Sequence, residues 1–224
     1  MALLDSKTEL RIKQVINTVE SGTPTGDYSA ISIYNDGKGQ TKQITYGCSQ
    51  TTEQGNLKKL IQRYIAMSGK YASDFAPYLD KIGLIPLWQD TDFIALLKSA
   101  GKEQIMRDAQ DGFFNDEYFE PSIDWADING FVLPLSKLVI YDSFIQSGHI
   151  LQEIRNQFAE KPPAQGGNEK YWIMGYLRCR KAFLLNSVNK DVNKSIYRVL
   201  AYQKALRADN WDLSQPVSVE GFSI

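Results

Sequence analysis

Two acidic residues sit where they could do proton chemistry. Glu20 closes a stretch with helical periodicity, and Asp36 lies in a Gly-rich turn, Asn35-Asp36-Gly37-Lys38-Gly39, between two β-like segments. A carboxylic acid and a carboxylate on opposite sides of a sugar can serve as general acid and general base for breaking a glycosidic bond. A carboxyl at a helix C-terminus meets the negative end of the helix dipole, which favours the protonated form when the site is shielded, as a proton donor requires. Spacing alone does not single this pair out. The chain has 26 acidic residues, and Asp-Gly in a turn is often turn chemistry alone.

Other chemistries have less to work with. There is one histidine, His149, so a Ser-His or Cys-His mechanism would rest on it alone. A zinc site would have to be built almost wholly from carboxylates and two thiols, and no metal or cofactor is expected. His149 reads as a residue at a helix end. Cys48 and Cys179 are far apart and form no CxxC pair, so they read as small buried residues. The net charge of -1, with scattered Lys and Arg, gives no bulk attraction to nucleic acid. No apolar run approaches the roughly 20 residues of a membrane-spanning helix. The opening Met1-Ala2-Leu3-Leu4-Asp5 is too soon acidic for a secretory signal, so the expectation is a chain made without one or given a new start.

The elements that position the two carboxylates follow from periodicity. Ile12, Val15, Ile16 and Val19 predict an amphipathic helix over 6–20, with Ser6 and Glu9 as a capping box and Gly22 and Pro24 as its end. Tyr28–Tyr34 and Gln43–Cys48 predict a hairpin, with room for a third short strand. From about Thr52 the pattern is helical. Leu57, Leu60, Ile61, Tyr64 and Ile65 form one stripe closed by Gly69, and further helices are predicted near 91–99, 102–118, 133–147, 169–186 and 191–207. Pro134 stands in the first turn of the 133–147 helix. Breaks are predicted at Pro86, Pro121 and 162–167. Trp88, Trp125, Trp172 and Trp211 could offer a sugar-stacking face, though tryptophan at helical spacing is more often core.

The context of the carboxylates is more specific than their spacing. Glu20, then Asp36-Gly37-Lys38-Gly39-Gln40-Thr41, then Ile44-Thr45-Tyr46-Gly47-Cys48-Ser49-Gln50-Thr51-Thr52-Glu53, resembles the chitosanases of glycoside hydrolase family 46. The likeness continues in order through Ala109-Gln110-Asp111, Tyr118-Phe119-Glu120-Pro121, Tyr141-Asp142-Ser143 with Gly148-His149, Gln165-Gly166-Gly167-Asn168-Glu169, Leu177-Arg178-Cys179-Arg180, Arg198 and Asn210-Trp211-Asp212-Leu213.

The resemblance implies an α+β, mainly α, lysozyme-like fold: a single catalytic domain, 1–224, of two lobes with a cleft between them. The small antiparallel sheet falls in the minor lobe, built around about 25–50. It also implies endo-acting, inverting hydrolysis of β-1,4 bonds in chitosan. Glu20 becomes the general acid, Asp36 the general base, and Thr41 the hydroxyl that helps hold the attacking water, with Gly37-Lys38-Gly39 keeping the turn open to it. Inverting enzymes in general hold their carboxyls roughly 6.5–9.5 Å apart. Glu53, Lys38 and Gly37 become substrate-binding candidates, Glu53 by contacting a substrate amine, although it is one methylene longer than the family's aspartate. A helix-N-terminal carboxylate favoured by the dipole is its other reading. Asp142, Arg180 and Arg198 align with a buried acid–arginine network, with Arg178 an alternative to Arg180. The implied partner is chitosan, polymer and oligomers, with neither nucleic acid nor membrane, and the implied location is extracellular. Two other functions are open: a peptidoglycan-cleaving muramidase on the same fold, and a non-catalytic sugar-binding module, whose mark would be loss of a carboxylate.

Overall fold

The structure, a computed structural model, describes residues 4–48 and 50–224. Ser49 of the motif and Met1-Ala2-Leu3 of the N-terminal stretch lie outside the described residues. Contacts divide the chain into two units: residues through Val19 together with Glu117–Ile224, and Glu20–Asp116. The sheet shares its unit with several helices.

The first unit opens with α1 (Ser6–Ser21), which buries Ile12, Val15, Ile16, Thr18 and Val19 as its periodicity requires. The expected capping box does not form. Asp5, one residue earlier, accepts from the backbone N–H groups of Lys7 and Thr8, both at 3.0 Å, and Glu9 pairs instead with Lys13 at 2.6 Å. A carboxylate satisfies those N–H groups and the positive helix end together, which a serine hydroxyl cannot do.

In the second unit, β1 (Ile31–Tyr34), β2 (Gln43–Tyr46) and β3 (Thr51–Thr52) form an antiparallel sheet in that order. Tyr34 pairs with Gln43 and Ile31 with Tyr46. Next come α2 (Leu57–Ala66), the short α3 (Ala72–Phe75), α4 (Thr91–Ala100) and α5 (Gln104–Phe114). Leu57, Leu60, Ile61 and Tyr64 of α2 are buried, and Tyr64, Phe75 and Phe93 meet edge to face.

The rest belongs to the first unit, apart from a π-helical turn, Asn115–Phe119, within which the unit boundary falls. Then follow α6 (Glu120–Ile128), α7 (Pro134–Ser147), α8 (Gln152–Arg155), α9 (Glu169–Leu185), α10 (Lys190–Lys194), α11 (Ile196–Arg207) and a small hairpin of β4 (Ser218–Val219) and β5 (Phe222–Ser223). The helix expected over 102–118 thus ends at Phe114, and the break expected at Pro121 is instead the first turn of α6. Proline starts a helix at no cost in hydrogen bonds, because the N–H it lacks has no intrahelical partner there. Trp172 is fully buried among Phe131, Phe158 and Tyr176, and Trp211 is also core. Three of the four carry a cation over the ring: Lys42 Nζ lies 4.7 Å from the ring centre of Trp88, Lys170 Nζ 5.0 Å from that of Trp211 and Arg155 Cζ 5.9 Å from that of Trp172. Cys48 and Cys179 are free and buried, and His149 is exposed beside the left-handed Gly148 that ends α7. Among the described residues, no helix is long and apolar enough to cross a membrane.

The caps give a direct test. Asp5→Ala should cost about 1 kcal/mol of stability, and Ser6→Ala a small fraction of that, read from denaturant unfolding of the two variants side by side.

Candidate active site

The hairpin that carries Asp36 is wider than a two-residue turn. Between Tyr34 and Gln43 the chain makes a short 3-10 turn, Lys38–Gln40, closed by Gly37 N–H to the Thr41 carbonyl at 3.0 Å and Gln40 N–H to the Gly37 carbonyl at 2.9 Å. Gly39 takes a left-handed conformation, φ 68°. Gly37 is required for a different reason. A Cβ there would fall 2.6 Å from Thr41 Oγ1 and 2.7 Å from Gln54 Nε2. A side chain at 37 would therefore collide with the Thr41 hydroxyl and the Gln54 amide, so the turn closes this tightly only on a glycine.

Two glutamines, which the sequence reading passed over, hold this turn. Gln43 donates from Nε2 to Asp36 Oδ1 at 2.9 Å, while its Oε1 accepts from Gln54 N–H at 3.0 Å. Gln54 accepts from Lys38 N–H at 2.7 Å and donates from Nε2 to Thr41 Oγ1 at 3.0 Å. Thr41 in turn donates to the Lys38 carbonyl at 3.0 Å. Asp36, Lys38 and Thr41 are exposed, and Gln43 is buried. Lys38 thus enters the network through its backbone. The available sequence signal is the strand itself: all four residues of Gln43-Ile44-Thr45-Tyr46 are buried, so its polar members must find partners inside.

Glu53 differs most from expectation. It is 3% exposed, and its oxygens accept from Ile44 N–H at 3.1 Å and Leu87 N–H at 2.8 Å. As placed, it offers a ligand almost no surface. These bonds join β2 to the 87 segment.

Glu20 is half-buried at the penultimate position of α1. Its carbonyl accepts from Gln50 Nε2 at 2.8 Å, and in the other unit Tyr197 OH donates to the carbonyl of the preceding Val19. The loop after Glu20 is anchored by α5. Gln110, fully buried, donates to the Tyr28 carbonyl at 2.8 Å and accepts from Cys48 N–H at 3.1 Å. Tyr28 OH donates to Asp111 at 2.8 Å. Burial, reinforced by the Asp111 carboxylate, pushes the Tyr28 phenol well above its ordinary value. It stays a neutral donor.

Asp142, Arg180 and Arg198 form a cluster of their own in the first unit. Asp142, fully buried, meets Arg180 at 2.6 Å and Arg198 at 3.6 Å. Arg180 also reaches Ser143 Oγ at 3.3 Å. Arg178 is exposed, which settles the choice between the two arginines. Burial and the Asp142 charge hold the Tyr202 phenol far above its usual range. Among the described residues, no three His, Cys, Asp or Glu side chains are grouped to hold a metal ion.

Comparison with known proteins defines the class. The model of glycosyl hydrolase family 46 matches residues 14–217. A chitosanase of Bacillus subtilis is 25% identical over 96% of this chain and 83% of the relative. Among solved structures, a native chitosanase from Bacillus subtilis superposes with a TM-score of 0.86 at 22% identity, over 99% of this chain and 100% of that one. A GH46 chitosanase of Gynuella sunshinyii in complex with chitotetraose superposes with a TM-score of 0.85 at 25% identity, over 99% and 98%. The protein is a glycoside hydrolase with the mainly helical, two-lobed, lysozyme-like fold. It belongs to glycosyl hydrolase family 46.

Two expectations follow from the buried charges. Glu53→Ala should lower the melting midpoint, because each orphaned N–H costs about 1–3 kcal/mol. An unchanged midpoint with weakened oligomer binding would return Glu53 to direct substrate contact. Asp142→Ala should cost about 3–5 kcal/mol by leaving arginine charge buried without its partner, read from chemical denaturation.

Proposed function

We propose that this protein hydrolyses chitosan, cutting internal β-1,4 bonds with inversion, and that the whole chain acts as one catalytic domain. The observation that carries this reading is the braced hairpin: Asp36 and Thr41 are exposed side chains held on one network with Gln43 and Gln54. The family match and the chitosanase relatives support the substrate.

Glu20 is the general acid and Asp36 the general base. In a single displacement, a water oxygen forms a bond to the anomeric carbon while the bond to the leaving sugar oxygen breaks. The leaving oxygen takes the proton of Glu20, and Asp36 takes a proton from the water. Thr41 spends its hydroxyl hydrogen on the Lys38 carbonyl, so it holds that water by accepting its second hydrogen. With both hydrogens directed at acceptors, a lone pair of the water faces the sugar. Gly37 and Lys38 contribute through the backbone that sets this spacing. The ammonium groups of chitosan favour a cleft of carboxylates. Action on an extracellular polymer is the corresponding setting.

Glu20→Gln should abolish nearly all release of reducing ends from deacetylated chitosan while keeping a normal melting transition, because an amide cannot donate the required proton. Substantial residual turnover would remove Glu20 from the acid role. Stereochemistry tests the pair. Proton NMR in the first minutes of a chitosan hexamer digest should show the α reducing end, and an initial β product would mean a nucleophilic Asp36 and a retaining enzyme.

A further inference from the structure

A side-chain amide has two faces of opposite polarity, and which way it points decides what it can do for a neighbour. At Gln43 the surroundings fix that direction. The backbone N–H of Gln54, 3.0 Å away, can only donate, so it must face the amide oxygen. The amide NH2 therefore faces Asp36 Oδ1 at 2.9 Å. Gln43 is 4% exposed and sits at the first position of β2, paired with Tyr34, so it has little freedom to turn away. Gln54 is itself held at its other end by Lys38 N–H and Thr41.

We propose that Gln43 is a positioning residue for the base: it occupies one oxygen of Asp36 with a fixed N–H and leaves the other oxygen for the attacking water. This rests on the assignment of Asp36 as the base. An exposed carboxylate on a hairpin turn would otherwise rotate about its side-chain bonds and present either oxygen in many directions. One buried donor removes that freedom before substrate arrives, and preorganisation of this kind acts on turnover more than on binding. The other titratable groups at this end of the hairpin are Tyr34, Lys38 and Lys42, all exposed, and Glu53, whose oxygens are taken by Ile44 and Leu87. The donor facing Asp36 is the neutral amide.

The isosteric variant Gln43→Glu separates this role from a framework one. A glutamate still accepts from Gln54 N–H, so the turn keeps its support, but a carboxylate now faces Asp36 where a donor stood. Two carboxylates at that distance share a proton, and a base that stays protonated to higher pH loses its rate at low pH. The acid limb of the kcat/KM profile should therefore move up by about one pH unit or more, in a variant that still shows a cooperative melting transition. Gln43→Met removes the donor without adding charge. It should lower kcat by about 10-fold to 100-fold with KM within about 2-fold of wild type, measured by reducing-end release. Folded variants that keep both the wild-type limb and the wild-type kcat would overturn the proposal. If Gln43→Met fails to fold, the Gln43→Glu profile decides alone. Asp36→Asn, run alongside, distinguishes the failures: an active Asp36→Asn removes Asp36 as the base, whereas a dead one beside unaffected Gln43 variants removes only the role of Gln43.

Discussion

A carboxylate withdrawn from water must be met by donors, and at Glu53 that requirement organises the front of the protein. Its oxygens gather the N–H groups of Ile44 in β2 and Leu87, while its own N–H reaches back to the Ile44 carbonyl at 2.8 Å. The next residue, Gln54, then donates its backbone N–H to Gln43 Oε1 and spans with its side-chain amide to Lys38 N–H and Thr41 Oγ1. Two consecutive side chains thus set both the root of the hairpin and its tip. One holds by charge inside the fold, the other by neutral amide contacts nearer solvent.

The first unit uses charge differently. Asp142 with Arg180 and Arg198 is an ion cluster inside a helical core, drawn from α7, α9 and α11. Buried ion pairs contribute little net stability against apolar replacements of the same shape. Their effect is to fix which helix faces meet, since a shifted helix would strand a charge. Tyr197, next to Arg198 on α11, holds the Val19 carbonyl one residue before Glu20.

Much of this was legible in the residues. The stripes of α1 and α2 predicted both helices because an amphipathic face repeats with the helical period, and the hairpin was visible in its Gly-rich turn. The ordered run of motifs led to the right family. What stayed hidden has physical causes. Pro121 reads equally as a helix break or a helix start, and only tertiary packing separates the two. The π-helical turn at 115–119 has no periodic signature. Glu53 looks like an ordinary solvated carboxylate, because its partner Leu87 is remote in sequence. Gln43 and Gln54 resemble surface residues, and their value comes from the direction of an amide, which no composition or spacing records.

Gly47 carries a consequence for how such a chain can diverge. Its φ is 84°, and a Cβ there would lie 2.3 Å from Gln110 Oε1. Relief by a shorter residue at 110 would release both the Tyr28 carbonyl and Cys48 N–H, which that glutamine holds. Neither position can drift alone without harm, and no single replacement at one repairs a change at the other. The two positions act as a matched pair, and redesign of the loop that Gln110 holds would have to change both at once.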